Sequence, residues 1–415
     1  MTRPRILTIM GSGETAPTMV PTHRMLVARL GSSTKATLLD TPYGFQENAP
    51  ELAAKAVDYF KTSVNVDLVV AGLTEIADGD ALVVERGLNA VKDADYVFAG
   101  PGSPTYALRQ WAGTSLPELL ATKLRNGGAV TFASAAALTL GKKTLPIYEI
   151  YKAGEQPRWL DGLDVLSVVG IDAAVIPQYN NAEGGHHDTR FCYMGERRLS
   201  RLELELPGTT YVLGVDEHTG VVMDLDADTA TVVGKGVLTL RIRGASTEIP
   251  SGETVPLDRL RDPSSTTAVS RPSVAAPAPL VDVVVDSNLR QATERLSGDF
   301  DAALVAGDAD AAARAVLELE DAITSWSADT LQGTDGEFAR ATLRSMITRL
   351  AGAASSGLTD PRDVVGPYME VLLTLRAQVR SDKRFDLSDM IRDRLTEIGV
   401  EVRDTPNGVE WVLRD

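Results

Sequence analysis

The sequence predicts an α/β domain, a mostly parallel sheet flanked by helices, joined to an all-α bundle that ends in a β-hairpin. Three observations predict it. Up to residue 244, short β-branched runs alternate with amphipathic stretches, the pattern of a parallel sheet covered by helices. Over 245–284, Ser, Thr, Pro and Ala crowd together, with Arg271-Pro272-Ser273-Val274-Ala275-Ala276-Pro277-Ala278-Pro279 near the end. Such a segment has few large apolar groups to bury and reads as a linker. From 285 to 415, apolar residues recur at 3.6 spacing and then switch to strict alternation.

Each element has its own signal. Ile6–Met10 is an apolar strand stopped by Gly11-Ser12-Gly13-Glu14, and Val20–Leu30 follows with helical spacing. Ala36–Asp40, Val66–Val70, Tyr96–Ala99 and Ala129–Phe132 read as further strands, each bounded by Gly, Pro or Asp. Ala49–Phe60, Ala81–Val91 and Pro104–Trp111 read as the helices between them. Val165–Val169, Ala174–Pro177, Tyr211–Val215 and Gly220–Asp224 read as more antiparallel strands. In the second domain the spacing predicts helices over Leu289–Ala306, Ala309–Ser325, Gly336–Ala351, Pro361–Arg380 and Leu387–Ile398. A hairpin over Gly399–Leu413 turns at Thr405-Pro406-Asn407-Gly408.

The composition narrows the function. With 415 residues, 41 basic against 57 acidic side chains and a formal charge of −16, broad electrostatic binding to nucleic acid or anionic membrane is disfavoured. The single cysteine, Cys192, excludes an internal disulfide framework and fits a reducing cytosol. The apolar start is too short for a secretory core, and no run approaches the roughly 18–20 residues of a membrane span. The expected location is cytoplasmic.

Four segments carry chemistry. In Phe132-Ala133-Ser134-Ala135-Ala136-Ala137 a strand ends, a serine follows and small residues open the next helix, as a sharp turn exposing a nucleophile requires. The same pattern also suits a plain serine N-cap. In Gly100-Pro101-Gly102-Ser103-Pro104 the prolines lack N–H, so Gly102 and Ser103 are the donors that could face Ala135 across an oxyanion. The alternative is an ordinary Pro/Gly turn. Gln178-Tyr179-Asn180-Asn181-Ala182-Glu183-Gly184-Gly185-His186-His187-Asp188-Thr189-Arg190 is a dense polar loop suited to binding. Adjacent histidines without a second ligand pair argue against a metal site there, and no cofactor is expected. Gly214-Val215-Asp216-Glu217 ends a strand in two carboxylates, or forms a solvated acidic turn.

In this order the segments resemble the cyanophycinase and aspartyl-dipeptidase family of serine peptidases, over about Pro4 to Val237. That resemblance implies a flavodoxin-like, class I glutamine amidotransferase-like fold and a Ser-His-Glu hydrolase of small aspartyl peptides or isopeptide bonds. It assigns Ser134 as nucleophile, Gly102, Ser103 and Ala135 as oxyanion donors, and Glu217 as the acidic member. One departure stands out. The family's dipeptidases carry their base in an Asn-Pro-His-aromatic segment, and the matching stretch here is Ile176-Pro177-Gln178-Tyr179. An amide cannot take a proton, so either His187 or His186 serves as base or hydrolysis is lost. His187 is preferred for its neighbours Asp188 and Arg190. Gln178, Asn180, Asn181, Glu183 and Arg190 are then candidate substrate contacts.

The C-terminal stretch resembles the end of cysteinyl-tRNA synthetases, over about Asn288 to Leu413. The resemblance rests on Arg376-Ala377-Gln378-Val379-Arg380, on Ser388-Asp389-Met390-Ile391-Arg392-Asp393-Arg394-Leu395, and on Asp404-Thr405-Pro406-Asn407-Gly408-Val409-Glu410-Trp411. It implies tRNA contact through Arg376, Arg380, Lys383, Arg384, Arg392 and Arg394, with Trp411 stacking on a base. The alternative is a salt-bridged helix face and a hairpin core residue, in a domain that is acidic overall. The expected partners are therefore a small peptide-like substrate, a candidate tRNA, no membrane, and a candidate second copy of the chain.

Overall fold

Strand β1 (Arg5–Met10) lies inside an eight-stranded sheet with both faces covered, so Ile6 to Met10 are all buried. The computed structural model describes residues 3–183, 187–264, 288–326, 334–356, 361–405 and 408–413. After β1 come α1 (Val20–Leu30), β2 (Ala36–Leu39), α2 (Ala49–Tyr59), β3 (Leu68–Val70), α3 (Ala81–Asp93), β4 (Tyr96–Ala99), α4 (Pro104–Trp111), α5 (Leu116–Asn126), β5 (Gly128–Ala133) and α6 (Ser134–Leu138). A short pair, β6 (Lys143–Thr144) and β7 (Leu160–Asp161), brackets α7 (Ile147–Tyr151). Then follow β8 (Ala173–Ile176), α8 (Gly195–Glu203), β9 (Tyr211–Val215), β10 (Thr219–Asp224), β11 (Thr229–Gly234), β12 (Val237–Ile242), β13 (Ala245–Pro250), β14 (Thr254–Pro256) and α9 (Asp258–Arg261).

The large sheet runs β14-β11-β10-β1-β5-β4-β2-β3, and β1, β5, β4, β2 and β3 are parallel. A second sheet runs β13-β12-β9-β8. The side-chain period of two sorts each strand between two cores: Leu7, Ile9, Val97, Val130 and Phe132 pack on one face, and Ile6, Met10, Tyr96, Phe98 and Ala129 on the other. The carboxyl ends of β1, β4 and β5 thus share one edge, where ligand crevices of parallel sheets form. Gly11 is required there, because a Cβ on it would lie 2.0 Å from the Asp216 carbonyl oxygen.

The mostly parallel sheet, its helices, the helical C-terminal region and the final hairpin agree with the sequence. Four details differ. Val165–Val169 is a 3-10 turn rather than a strand, entered and left through left-handed Asp164 and Gly170. β8 pairs parallel to β9, not antiparallel. Helices α5 and α8 had no assigned place. Regular structure also continues past residue 244: β13 completes a hairpin with β12, and β14 pairs with β11. The expected linker therefore begins later, and residues 265–287 of it lie outside the described residues.

Two compact units divide the described chain, Met1–Ala292 with Ala322–Gly336, and Thr293–Asp321 with Glu337–Asp415. Helices α10 (Leu289–Ala306), α11 (Ala309–Ser325), α12 (Asp335–Ser356), α13 (Pro361–Ser381) and α14 (Phe385–Glu397) precede the hairpin of β15 (Val400–Thr405) and β16 (Gly408–Leu413). Met369, Leu395, Val400 and Val402 form the core under that hairpin, with Trp411 packed against it. Among the described residues no helix is long and apolar enough to cross a membrane.

His23 on α1 shows what burial does to a titratable group. Its ring bonds the Tyr96 hydroxyl at 2.8 Å and the Glu14 carbonyl oxygen at 2.7 Å, among Tyr59, Phe60 and Phe98. Desolvation pushes its pKa from 6.5 down to about 4, against a raising contribution from the Glu14 carbonyl. The unfolded chain takes up this proton near pH 6.5 and the folded one only near 4. The full stability is present above pH 6.5, and about 3 kcal/mol is lost as pH falls toward 4. Urea unfolding across that window is expected to show the loss, and His23→Gln should flatten it; an unchanged slope in the variant would assign it elsewhere.

Candidate active site

Ser134 sits where β5 breaks into α6. Its φ is 51°, a left-handed value that a serine adopts only when its surroundings enforce it. The residue is 7% exposed, and its hydroxyl makes no hydrogen bond to the described residues. Ala133, Ala135, Ala136 and Ala137 are all buried, so the tight turn has no room for larger neighbours. The N-cap position of α6 is Ala133, which has no side chain to cap with, and Ser134 itself is the left-handed first residue of the helix.

Ser134 opens into a small pocket with a cavity volume of about 30 Å³. Gly102, Ala135 and Leu138 line it from the sheet edge, and Pro177 and Gln178 from the loop after β8. Ile147 and Tyr148 of α7 and the pair Cys192-Tyr193 close it. Gly102 has φ 137°, and a Cβ on it would lie 2.1 Å from the Pro42 carbonyl oxygen, so no other residue fits. The amides of Gly102 and Ala135 donate to no described acceptor, whereas Ala136 N bonds Gly100 O at 3.1 Å. Ser103 does not join them. Its N–H donates to the Pro42 carbonyl at 2.7 Å and its hydroxyl accepts from Tyr106 N as the cap of α4.

Gln178 lines the pocket with φ 47°, its carbonyl accepting from Asn181 N at 3.1 Å and Cys192 N at 3.2 Å. No described histidine lines it. His187 is exposed, and His186 lies outside the described residues. His218 bonds Thr18 Oγ1 at 3.0 Å and is pushed down to about 4, by burial first and then by Lys235.

Other sequence-derived contacts turn inward. Asn180 Oδ1 accepts from Glu217 N at 2.8 Å. Asn181 is fully buried and donates to Glu217 Oε1 at 3.2 Å, while its own Oδ1 accepts from Glu183 N at 3.3 Å. These two asparagines thus tie the loop to the end of β9 rather than face the pocket. Arg190 does not face it either: paired bonds of 2.9 Å hold its guanidinium on Asp188, whose carboxyl is kept well below the usual range by that contact. Among the described residues no group of three or more His, Cys, Asp or Glu is placed to hold a metal.

Sequence reasoning missed one wall. Phe191, Cys192 and Tyr193 all have positive φ (60°, 53° and 66°), a left-handed turn built without glycine, and so without a signal in the sequence. Arg241 backs it, its guanidinium 5.2 Å from the Phe191 ring centroid. Tyr148 was missed because α7 is too short to show a period.

In the second unit, the candidate tRNA-binding arginines face carboxylates. Arg376 is buried and bonded to both oxygens of Asp404, at 2.8 and 2.9 Å, and Arg380 reaches the same carboxylate at 3.3 Å. Arg392 pairs with Asp389 and Asp393, Arg384 with Asp386, and Arg394 with Glu397. Trp411 packs on the hairpin core.

No protein-family model matches the chain. The cysteine–tRNA ligase of Petrotoga mobilis is 49% identical over 43 residues, 10% of this chain and 9% of that protein. The corresponding ligase of Desulfitobacterium hafniense is 32% identical over 133 residues, 30% of this chain and 26% of that protein. The chain therefore spans at most about a quarter of the length of these relatives. Among solved structures, a peptidase from an acI-B1 Actinobacterium superposes with a TM-score of 0.49 and 20% identity, over 61% of this chain and 97% of the other. The cysteine–tRNA ligases are one of the two kinds of protein that the sequence resembles.

Proposed function

We propose that the first unit is a serine hydrolase acting on small peptide or isopeptide bonds. Ser134 attacks the carbonyl, and the Gly102 and Ala135 amides receive the oxyanion. His187 or His186 of the glycine-flanked loop takes the proton, oriented by Glu217. The observation that supports this reading is the left-handed Ser134, which lines one pocket with Gly102 and Ala135, whose amides have no acceptor among the described residues. A backbone strained at roughly 1–3 kcal/mol persists where its surroundings over-determine it, typically at reacting groups. A fluorophosphonate probe is expected to label the full chain and not Ser134→Ala. Labelling that survives in the variant, or none in either protein, removes the reading.

A second reading rests on Gln178. An amide in the pocket suits a site that binds without turnover, with the helical module recognising tRNA or a protein. Unlabelled protein that shifts total tRNA in a gel, with an affinity falling steeply with salt, would support it. The carboxylates beside Arg376, Arg380 and Arg392 favour the hydrolase reading over this one.

A further inference from the structure

We propose that the Ser134 pocket takes substrates whose acyl residue, the one that gives the scissile carbonyl, is small and uncharged: glycine or alanine. This rests on Ser134 being the reacting centre and names the substrate class for it. The pocket holds about 30 Å³, room for a group of one or two heavy atoms. An acyl group bonded to Ser134 has to enter that space, so its side chain is limited to a hydrogen or a methyl. The space does not widen easily. Ala135, Leu138, Ile147 and Cys192 line it, and all four are buried. Leu138, Ile147 and Cys192 belong to one apolar core with Ile150, Ile176 and Phe191, so moving any of them disturbs packing behind it. Main-chain bonds hold the same wall: Phe191 N donates to Tyr179 O at 2.8 Å, Cys192 N to Gln178 O at 3.2 Å and Tyr193 N to Thr189 O at 2.8 Å. A larger side chain enters only by overpacking this wall, which is unfavourable.

The polarity of the lining agrees with its size. Among the described residues no lysine, arginine, aspartate, glutamate or histidine lines the pocket. Gln178 offers it a neutral amide. Arg190, the nearest cation in sequence, is held by Asp188. Burial first, then Glu217 and Glu183, push the Cys192 thiol up to about 12, so at neutral pH the wall carries an uncharged sulfur. The aspartyl side chain that the dipeptidase resemblance implies would lose its hydration there without a countercharge from these residues. Tyr148, 44% exposed, stands at the rim, where the rest of a peptide passes out to solvent.

Calorimetric titration of the full chain with the boronic acids that correspond to acetyl-alanine, acetyl-leucine and acetyl-aspartate tests this. The Ser134 oxygen bonds to boron, which becomes tetrahedral, and the hydroxyl proton passes to the buffer. The alanine compound is expected to bind about tenfold tighter than the leucine one, and the aspartate compound no tighter than the leucine one. Cys192→Ala and Ile147→Ala each remove atoms from the wall, and either should bring the leucine and alanine compounds within about threefold. Leucine or aspartate binding as tightly as alanine, a selectivity unchanged in both variants, or no binding of any of the three overturns the proposal. Fluorophosphonate labelling run in parallel separates the two claims. Labelling without the preference for alanine overturns the substrate class alone, and the preference without labelling overturns the reaction alone.

Discussion

Gln178→His should raise the rate at which a fluorophosphonate labels Ser134 by about 10²-fold or more, the scale of a positioned general base. The substitution puts an imidazole at a pocket also lined by Ser134, Gly102 and Ala135, and asks little of the backbone. Position 178 is left-handed at φ 47°, a conformation that histidine tolerates better than most residues. The loop is held there by main-chain bonds from Asn181 N and Cys192 N to the residue 178 carbonyl, which no side-chain change removes. The labelling should rise with pH through the imidazole's titration and vanish in Gln178→His combined with Ser134→Ala. A folded variant that labels no faster would mean that side chain 178 does not serve Ser134, and the proton would then have to leave by the histidine loop.

Arg241→Ala is the largest expected loss of stability, about 3–5 kcal/mol. Arg241 is 3% exposed on β12, and its Nε donates to Glu203 Oε2 at 2.9 Å, while its two terminal nitrogens reach Glu196 at 2.5 and 3.0 Å. Truncation leaves the Glu203 carboxylate, itself 5% exposed, buried without its cation. Removing both ends is the informative control: Arg241→Met with Glu203→Met should recover most of the loss, because a buried pair replaced by apolar residues of similar volume is often neutral. Urea unfolding of the three proteins measures this. The double variant falling as far as the single one would show that the guanidinium's packing on Phe191, not the ion pair, holds α8 to the sheet.

Arg241 also shows why part of the site was hidden in the sequence. The strands and helices of the first unit were legible because each writes its own period: α1 and α4 have the bounds that their spacing predicts, and β4 is bracketed by its Asp and Gly. Ser134 and Gly102 were legible because a sharp turn and a close backbone approach demand small residues there. The left-handed Phe191-Cys192-Tyr193 was not, since nothing local favours it; Arg241, remote in sequence, packs on it. Nor could the sequence tell which polar groups were already spent. Ser103, Asn180, Asn181 and Arg190 read as donors to a ligand, yet each has its partner within the fold.

The sequence by itself thus determined the architecture, the small residues around Ser134 and the amide side chain at position 178. Those depend on residue type and on periods of two and 3.6, which are local. Only the tertiary structure decided which amides near Ser134 keep no acceptor among the described residues, which segments share its pocket and which arginines are paired with carboxylates. A hydrogen bond or ion pair removes a group from chemistry only when a distant segment folds back to meet it, and that meeting is written in no stretch of the chain taken alone.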